Sequence, residues 1–369
     1  MKHTKLRHAL TLGVFILIVG GFCVLRLVVS PPAILSSERR RPAKLPDFTL
    51  SNVLDARFTN GFEPFAADTF PFRETMRTIR AKTVFDVFRQ TDKSGLFTYN
   101  LGGTVGAGKF AAVNEAEYRK FTAKINAVTE RYLGDLNVFY AVIPDKSAYV
   151  DGDYPDYDHE LAAGILADAL PKLTAIDLYP ALDASSFYRT DLHWDQTKIG
   201  AVVNMIVGSA YEFNDTVTVG DFRGVYAGQI ALPLEPDAMS YVPVPHVTAE
   251  YLGEDMAFHG GAVYDLGADG FGSVDPYNLF LRGPQSLIVL TNTETDSARH
   301  LYIFRDSFSS SLAPLIAETG AYKTVTLIDL RYIDWRLLEQ MVTFEPNSDA
   351  LFLYGAQVLN DASIQKVNA

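Results

Sequence analysis

From residue 301 onward the sequence alternates short apolar runs with amphipathic ones: LYIFR at 301–305, SSLAPLIAE at 310–318, TVTLIDL at 324–330, WRLLEQMV at 335–342 and ALFLYG at 350–355. Strand, helix, strand, helix and strand in that order predict a parallel sheet with covering helices. A further buried strand is expected over Leu136–Ile143, stopped by Pro144. Before it, Phe121, Ile125, Val128 and Tyr132 recur at the spacing of a surface helix over Tyr118–Leu133. A helix over 160–170 and a short strand near Ala175–Leu178 follow. The expected fold class is therefore α/β, with a doubly wound parallel sheet.

Residues 213–299 lose helical periodicity and fill with Gly, Pro, Tyr and Val. They predict a β-rich insertion with turns at Leu266-Gly267 and Asp269-Gly270. Upstream, a helix is expected from Glu74 to about Phe88, within the stretch 58–88 that opens the folded part.

The N-terminus poses a different constraint. Residues 9–29 are apolar except for Arg26, and at about 1.5 Å per residue they reach across the roughly 30 Å hydrocarbon core of a bilayer. Arg26 lies near the end, where it can snorkel. Lys2, Lys5 and Arg7 precede the stretch, which favours a cytoplasmic N-terminus at 1–8 and an extracytoplasmic chain from residue 30. The cluster Arg39, Arg40, Arg41 and Lys44 pulls the other way, but long domains translocate largely regardless of charge. A cleaved signal peptide lacks a convincing small-x-small site, because Pro31 would follow a cut after Ser30. The expected organisation is thus a transmembrane signal-anchor at 9–29, a stem at 30–57 and one domain at 58–369 with its insertion at about 213–299.

With 44 acidic and 32 basic residues the formal charge is −12, which repels nucleic-acid phosphate unless a basic patch is segregated. The single cysteine, Cys23, lies in the apolar stretch, so neither an intramolecular disulfide nor a cysteine-based zinc site can form. The seven histidines include no H-x-H or H-E-x-x-H pair, and no metal is expected. Gly103 to Lys109 has the spacing of a phosphate loop, but Phe110 stands where Ser or Thr would hold magnesium.

Two places carry chemistry. Asp191 and His193 are two residues apart, so in an extended segment both side chains project to one face, and the carboxylate can hold the imidazole as a general base. A structural hydrogen bond at a helix entrance fits the same spacing, with Asp195 capping the helix built on Ile199, Val202, Val203, Ile206 and Val207. Ser307 follows a strand and precedes a helix, which exposes its hydroxyl at the carboxyl edge of the sheet. Backbone N–H groups at that helix start can receive an oxyanion, although a serine there also fits a simple cap.

Several segments together resemble one family: YRTDLHW at 188–194 with Gly200-Ala201, IFRDSFSSSLAPLIAE at 303–318, IDLRYID at 328–334, FEPFAADTFPFRETM at 62–76 and VIPDKSAYVDGDYP at 142–155. They look like the DHHW family of SGNH-hydrolase-like proteins, related to the alginate O-acetyltransferases AlgX and AlgJ. The resemblance implies Asp191 as acid, His193 as base and Ser307 as nucleophile, in an order reversed from ordinary SGNH hydrolases. Leu192 departs from the two adjacent histidines of the family name. Trp194, Lys146, Arg73 and Arg305 are further candidates for substrate binding, with structural packing or ion pairing as the alternative for each.

The implied activity is transfer of an acetyl group to a cell-surface or secreted polysaccharide through an acetyl-serine, without a cofactor. An esterase with water as acceptor, or a non-catalytic polysaccharide-binding component, are the alternatives. Because an acyl donor does not cross a membrane unaided, the resemblance also implies a membrane-bound O-acyltransferase (MBOAT) partner.

Overall fold

Alternation along the central strands decides the architecture. In the computed structural model, which describes residues 2–150 and 157–361, the chain forms two compact units. One holds residues 1–90 with 231–233, and the other holds 91–230 with 234–369. The resembling segment at 142–155 is therefore seen only to Val150, and the expected domain end at 369 lies outside the described residues.

In the first unit, helix α1 (Lys2–Val28) is followed by α2 (Leu50–Leu54), α3 (Arg57–Asp68) and α4 (Arg73–Lys82). The stretch of α1 with the length and apolar content to cross a membrane is Leu6–Arg26, three residues earlier than the expected span. Arg26 donates from Nε to Thr69 Oγ1 at 3.1 Å. Beyond Lys82 the helix widens into a π turn, Thr83–Val87, so it ends close to the expected Phe88. The segment expected as a stem is bound in place: Arg40 grips Asp68 with both terminal nitrogens, at 2.6 and 2.7 Å, and holds its carboxyl below the usual range.

The second unit opens with a three-stranded antiparallel sheet, β1 (Asp92–Lys93), β2 (Leu96–Leu101) and β3 (Thr104–Lys109). Its turn and third strand contain the glycine-rich run that mimics a phosphate loop. The glycines serve packing instead. A Cβ on Gly106 would meet the Tyr99 ring at 2.4 Å, and one on Gly108 would meet the Phe97 ring at 2.4 Å.

The chain continues through α5 (Glu115–Tyr132), β4 (Asn137–Ile143), α6 (His159–Ala169), β5 (Thr174–Ala175), α7 (Gly200–Val207), β6 (Val217–Phe222), α8 (Val225–Ile230), β7 (Asp237–Tyr241), β8 (Val247–Leu252), β9 (Phe258–Gly261), β10 (Leu287–Asn292), β11 (His300–Arg305), α9 (Ser309–Glu318), β12 (Thr324–Ile328), β13 (Asp349–Gly355) and α10 (Ala356–Leu359). Eight strands form the main sheet in the order β5-β4-β13-β11-β12-β10-β8-β9. The first five run parallel, with Ile303 opposite Leu327 on one side and Leu351 on the other. Strand β5 is shorter than expected, only Thr174–Ala175, because the chain turns away before a 3-10 turn at Tyr179–Ala181. Residues 335–340 likewise form a 3-10 rather than an α-helix.

Successive residues of β11 point to opposite cores. Leu301 and Ile303 pack with Val202 and Val203 of α7 and Leu312 and Ala313 of α9. Tyr302 and Phe304 pack with Phe121 and Ile125 of α5 and Ile165 and Leu166 of α6. This is the doubly wound α/β arrangement.

The region 213–299 is not a separate appendage. Strands β10, β8 and β9 extend the main sheet in antiparallel fashion, while β6 and β7 form a separate ribbon. Because the glycines of β3 seat aromatic rings, Gly108→Ala should destabilise the fold by about 1–3 kcal/mol through overpacking, measured by urea denaturation.

Candidate functional site

The segment 187–194 is closed at its base by a bridge between Phe187 and Trp194, with Tyr188 N–H donating to His193 O at 3.1 Å. Between these ends the chain bends sharply instead of running extended. The difference has a physical reason. Asp191 Oδ1 accepts both the backbone N–H of His193, at 3.1 Å, and its ring Nδ1, at 2.6 Å, and a straight segment could not bring both to one oxygen. The second oxygen, Oδ2, accepts from Val225 N–H at 2.8 Å. With Nδ1–H directed at a carboxylate, the lone pair of Nε2 faces outward. There it meets Ser307 Oγ at 2.8 Å, well within the reach a base and its hydroxyl require.

Ser307 sits in the turn between β11 and α9, at the carboxyl edge of the parallel strands, and is only partly buried. Its turn is fixed by Asp306, which is fully buried. Asp306 accepts from Phe308 N–H at 3.0 Å and from Gly355 N–H at 2.6 Å, tying the turn to the end of the neighbouring strand β13. Burial pushes its carboxyl pKa up, while Arg331, those two N–H groups and His193 pull it back. Phe308 N–H is thereby occupied, and Ser310 N–H donates to Ser307 O at 3.1 Å, so neither is an oxyanion donor at this helix start.

The side chain of His193 is 5% exposed. Tyr277 lies flat on it, with ring centroids 3.7 Å apart and planes at 8°, and Phe308 tilts against it at 4.9 Å. The Tyr277 hydroxyl pairs with Ser311 Oγ at 2.8 Å, which locks the stacking ring to α9. Burial drives the Tyr277 pKa well above the ordinary value, so the phenol stays neutral.

Beneath the loop lies Lys146. Its Nζ donates to the carbonyls of Ala107 at 3.1 Å, Tyr188 at 2.5 Å and Asp191 at 2.5 Å. Burial draws its pKa down to about 8, against the pull of Asp145, Asp191 and Asp237. Three carbonyl acceptors need three N–H donors, which only the ammonium supplies. Ala107 N–H in turn donates to Arg189 O at 2.8 Å, so β3 buttresses the loop. On the other flank Asp237 accepts from Thr190 N–H and Oγ1 at 2.8 and 2.6 Å, and from Arg189 N–H at 3.1 Å. Gly224 passes so close to Asp191 that a Cβ there would lie 2.3 Å from the Asp191 Cβ.

The structure thus brings Asp191, His193 and Ser307 together. The four residues considered for substrate binding fare otherwise. Trp194 is wholly buried and donates from Nε1 to Ser311 Oγ at 2.9 Å and Phe308 O at 3.2 Å. Arg305 is also buried, bonded to Ser310 Oγ at 2.8 Å and to the carbonyls of Asp306 and Gln285. Both side chains are thus turned inward, and the three N–H donors of Lys146 are engaged by two carbonyls of the loop and one of β3. Arg73 belongs to the other unit, ion-paired with Glu38 and Glu74. Tyr277, Gly224, Val225 and Asp237 had no sequence signal, since each acts through a neighbour that only folding supplies.

Comparison with known proteins adds the fold. No protein-family model matches this chain, and no curated protein sequence matches it. Among solved structures, a DHHW family protein from Eubacterium siraeum DSM 15702 is similar with a TM-score of 0.61 at 20% identity, over 75% of this chain and 95% of that one. Bacillus cereus PatB1, solved with a sulfonyl adduct, gives 0.53 at 13% identity over 75% and 100%. The O-acetyltransferase domain of Pseudomonas putida AlgJ gives 0.42 at 12% identity over 73% and 95%. The first two show that this chain has the SGNH-like α/β fold.

Removing the Lys146 charge strands three buried carbonyls. Lys146→Met should therefore cost at least about 3 kcal/mol of stability in denaturant unfolding, far more than an exposed lysine would.

Proposed function

We propose that this chain is a serine acyltransferase that moves an acetyl group onto a cell-surface or secreted polysaccharide through an acetyl ester on Ser307. The observation that carries the reading is the continuous chain of contacts from Asp191 Oδ1 to His193 Nδ1, at 2.6 Å, and from Nε2 to Ser307 Oγ, at 2.8 Å. A hydroxyl is a weak nucleophile unless a base removes its proton, and this geometry supplies the base together with the group that orients it.

In the first half-reaction Nε2 takes the hydroxyl proton as Oγ attacks the acetyl carbonyl. Asp191 stabilises the imidazolium, which then protonates the departing group of the donor. In the second, a sugar hydroxyl gives its proton to Nε2 and attacks the ester carbonyl, and the imidazolium returns that proton to Ser307 as the C–O bond to Oγ breaks. The stacked Tyr277 and Phe308 rings favour the cationic ring electrostatically and shield it from solvent. The resemblance of 188–194 and 303–318 to a family related to alginate O-acetyltransferases supports acetyl as the group moved. In this reading α1 anchors the chain, the remainder lies outside the cytoplasm, and a membrane-bound O-acyltransferase supplies the acetyl group.

The test is turnover of a chromogenic acetyl ester with and without oligosaccharides, since product identity separates transfer from hydrolysis. Ser307→Ala should abolish turnover and the mass gain of one acetyl group on its peptide. His193→Ala should leave nearly none, and Asp191→Asn should lower the rate by up to about 10⁴ by favouring the wrong tautomer. Wild-type turnover in Ser307→Ala would sink the reading. A sulfonylating reagent, the class seen in the PatB1 adduct, should label the wild type and not Ser307→Ala.

A separate measurement addresses placement. Protease added to intact cells should digest the domain following α1, and the protein should fractionate with membranes; protection of that domain would overturn the extracytoplasmic assignment.

A further inference from the structure

A second concavity lies on the same sheet edge as Ser307, and nothing in the acetyl-transfer chemistry uses it. It is a cleft of about 630 Å³ between α6 and the strands β4 and β5, in the size range of small-ligand sites. Its lining reaches past the carboxyl ends of those strands, to Pro144 and to Asp177 through Pro180. Strand β4 is two places from β11 and β5 is three, so at about 4.8 Å per strand the cleft lies roughly 10–14 Å across the edge from the serine turn.

The lining combines aromatic rings with carboxylates. Tyr140, Tyr157, His159 and Tyr179 contribute rings, and Glu160 and Asp177 contribute exposed carboxylates. None of the described lining residues is a lysine or an arginine.

Tyr179 is 38% exposed, yet its ring is held rigidly. Its hydroxyl donates to Ala148 O at 2.9 Å, the Tyr149 hydroxyl donates back to Tyr179 O at 3.0 Å, and the two rings lie 4.9 Å apart. His159 stands edge-on to it at 5.0 Å. The same short 3-10 turn, Lys146–Tyr149, that clamps the Asp191 loop through Lys146 thus supports Tyr179 through Tyr149. Tyr149 also touches Phe187, at the base of the 187–194 loop, with ring centroids 6.0 Å apart.

A fixed, half-exposed aromatic face stacks on the C–H face of a pyranose, and carboxylates accept hydrogen bonds from its hydroxyls. Carboxylates with no lysine or arginine among the described lining residues disfavour an anionic ligand. We propose that this cleft is an acceptor subsite for a sugar unit bearing no negative charge, stacked on Tyr179 and hydrogen-bonded to Glu160 and Asp177. The inference rests on the acetyl-transfer reading for what the subsite serves, and it makes the acceptor a neutral or amino-bearing glycan rather than a polyuronate.

The experiment uses the full chain in detergent with three probes of equal length: N-acetylglucosamine oligomers, glucosamine oligomers and galacturonate oligomers. Binding is read by saturation-transfer NMR, and acetyl transfer from a chromogenic ester is followed in parallel. The first two probes should bind and the galacturonate should not. Tyr179→Ala should weaken binding about tenfold. Asp177→Asn and Glu160→Gln should each weaken binding of the amino-bearing oligomer, and none of the three should alter ester turnover without acceptor. Because all three positions are exposed, unchanged ester turnover also reports intact folding.

Galacturonate bound as tightly as the others, or three variants with wild-type binding, would overturn the subsite. Ester turnover with no binding of any oligomer would overturn it too, while leaving the Ser307 reading standing. Oligomer binding lost in Tyr179→Ala, in a protein that turns over no ester, would support the subsite and sink the acetyl-transfer reading.

Discussion

An ammonium buried in a protein interior is unfavourable by several kcal/mol unless hydrogen bonds replace its water. Lys146 receives that replacement from three backbone carbonyls, and the positions of those carbonyls define the site. Two of them, from Tyr188 and Asp191, belong to the bent loop, and the third comes from β3. One cation therefore gathers the hairpin, the loop and the turn after β4 around a single point. Together with Asp237 on the other flank, it holds the loop bent sharply enough for Asp191 to bind both the backbone and the ring of His193.

The remaining contacts follow from that fixed loop. Asp191 presents Oδ1 to His193 and Oδ2 to Val225, which orients the ring. Asp306 does the same work for the opposite partner, tying Ser307's turn to the end of β13. The base and the hydroxyl thus arrive on separately anchored supports, one from a loop entering α7 and one from a strand end. Such anchoring matters because a base acts only within hydrogen-bond reach, and a shift of about 1 Å in either support would forfeit much of the effect. The region 213–299 takes part as well. It supplies Val225 beneath Asp191, Asp237 beneath Thr190 and Tyr277 across the His193 ring.

The sequence by itself determined the alternation that makes a parallel sheet, since strand and helix periods are written locally in the spacing of apolar residues. It also brought Asp191, His193 and Ser307 into view, as local patterns that fit a structural role equally well and that the resemblance of 188–194 and 303–318 to one family singled out, and it marked the apolar stretch now seen as α1. It did not determine that β8, β9 and β10 would join the main sheet, for strand pairing is a contact between distant segments. Nor did it fix the use of Trp194, Lys146 and Arg305, whose residue types suit a sugar site or an interior equally well. Burial decided how they are used here: each lies inside the chain and makes hydrogen bonds to the chain's own groups. Tertiary structure likewise decided the partners of the loop, because a carbonyl, a glycine or a tyrosine has no recognisable spacing to the residue it supports until the fold sets them side by side.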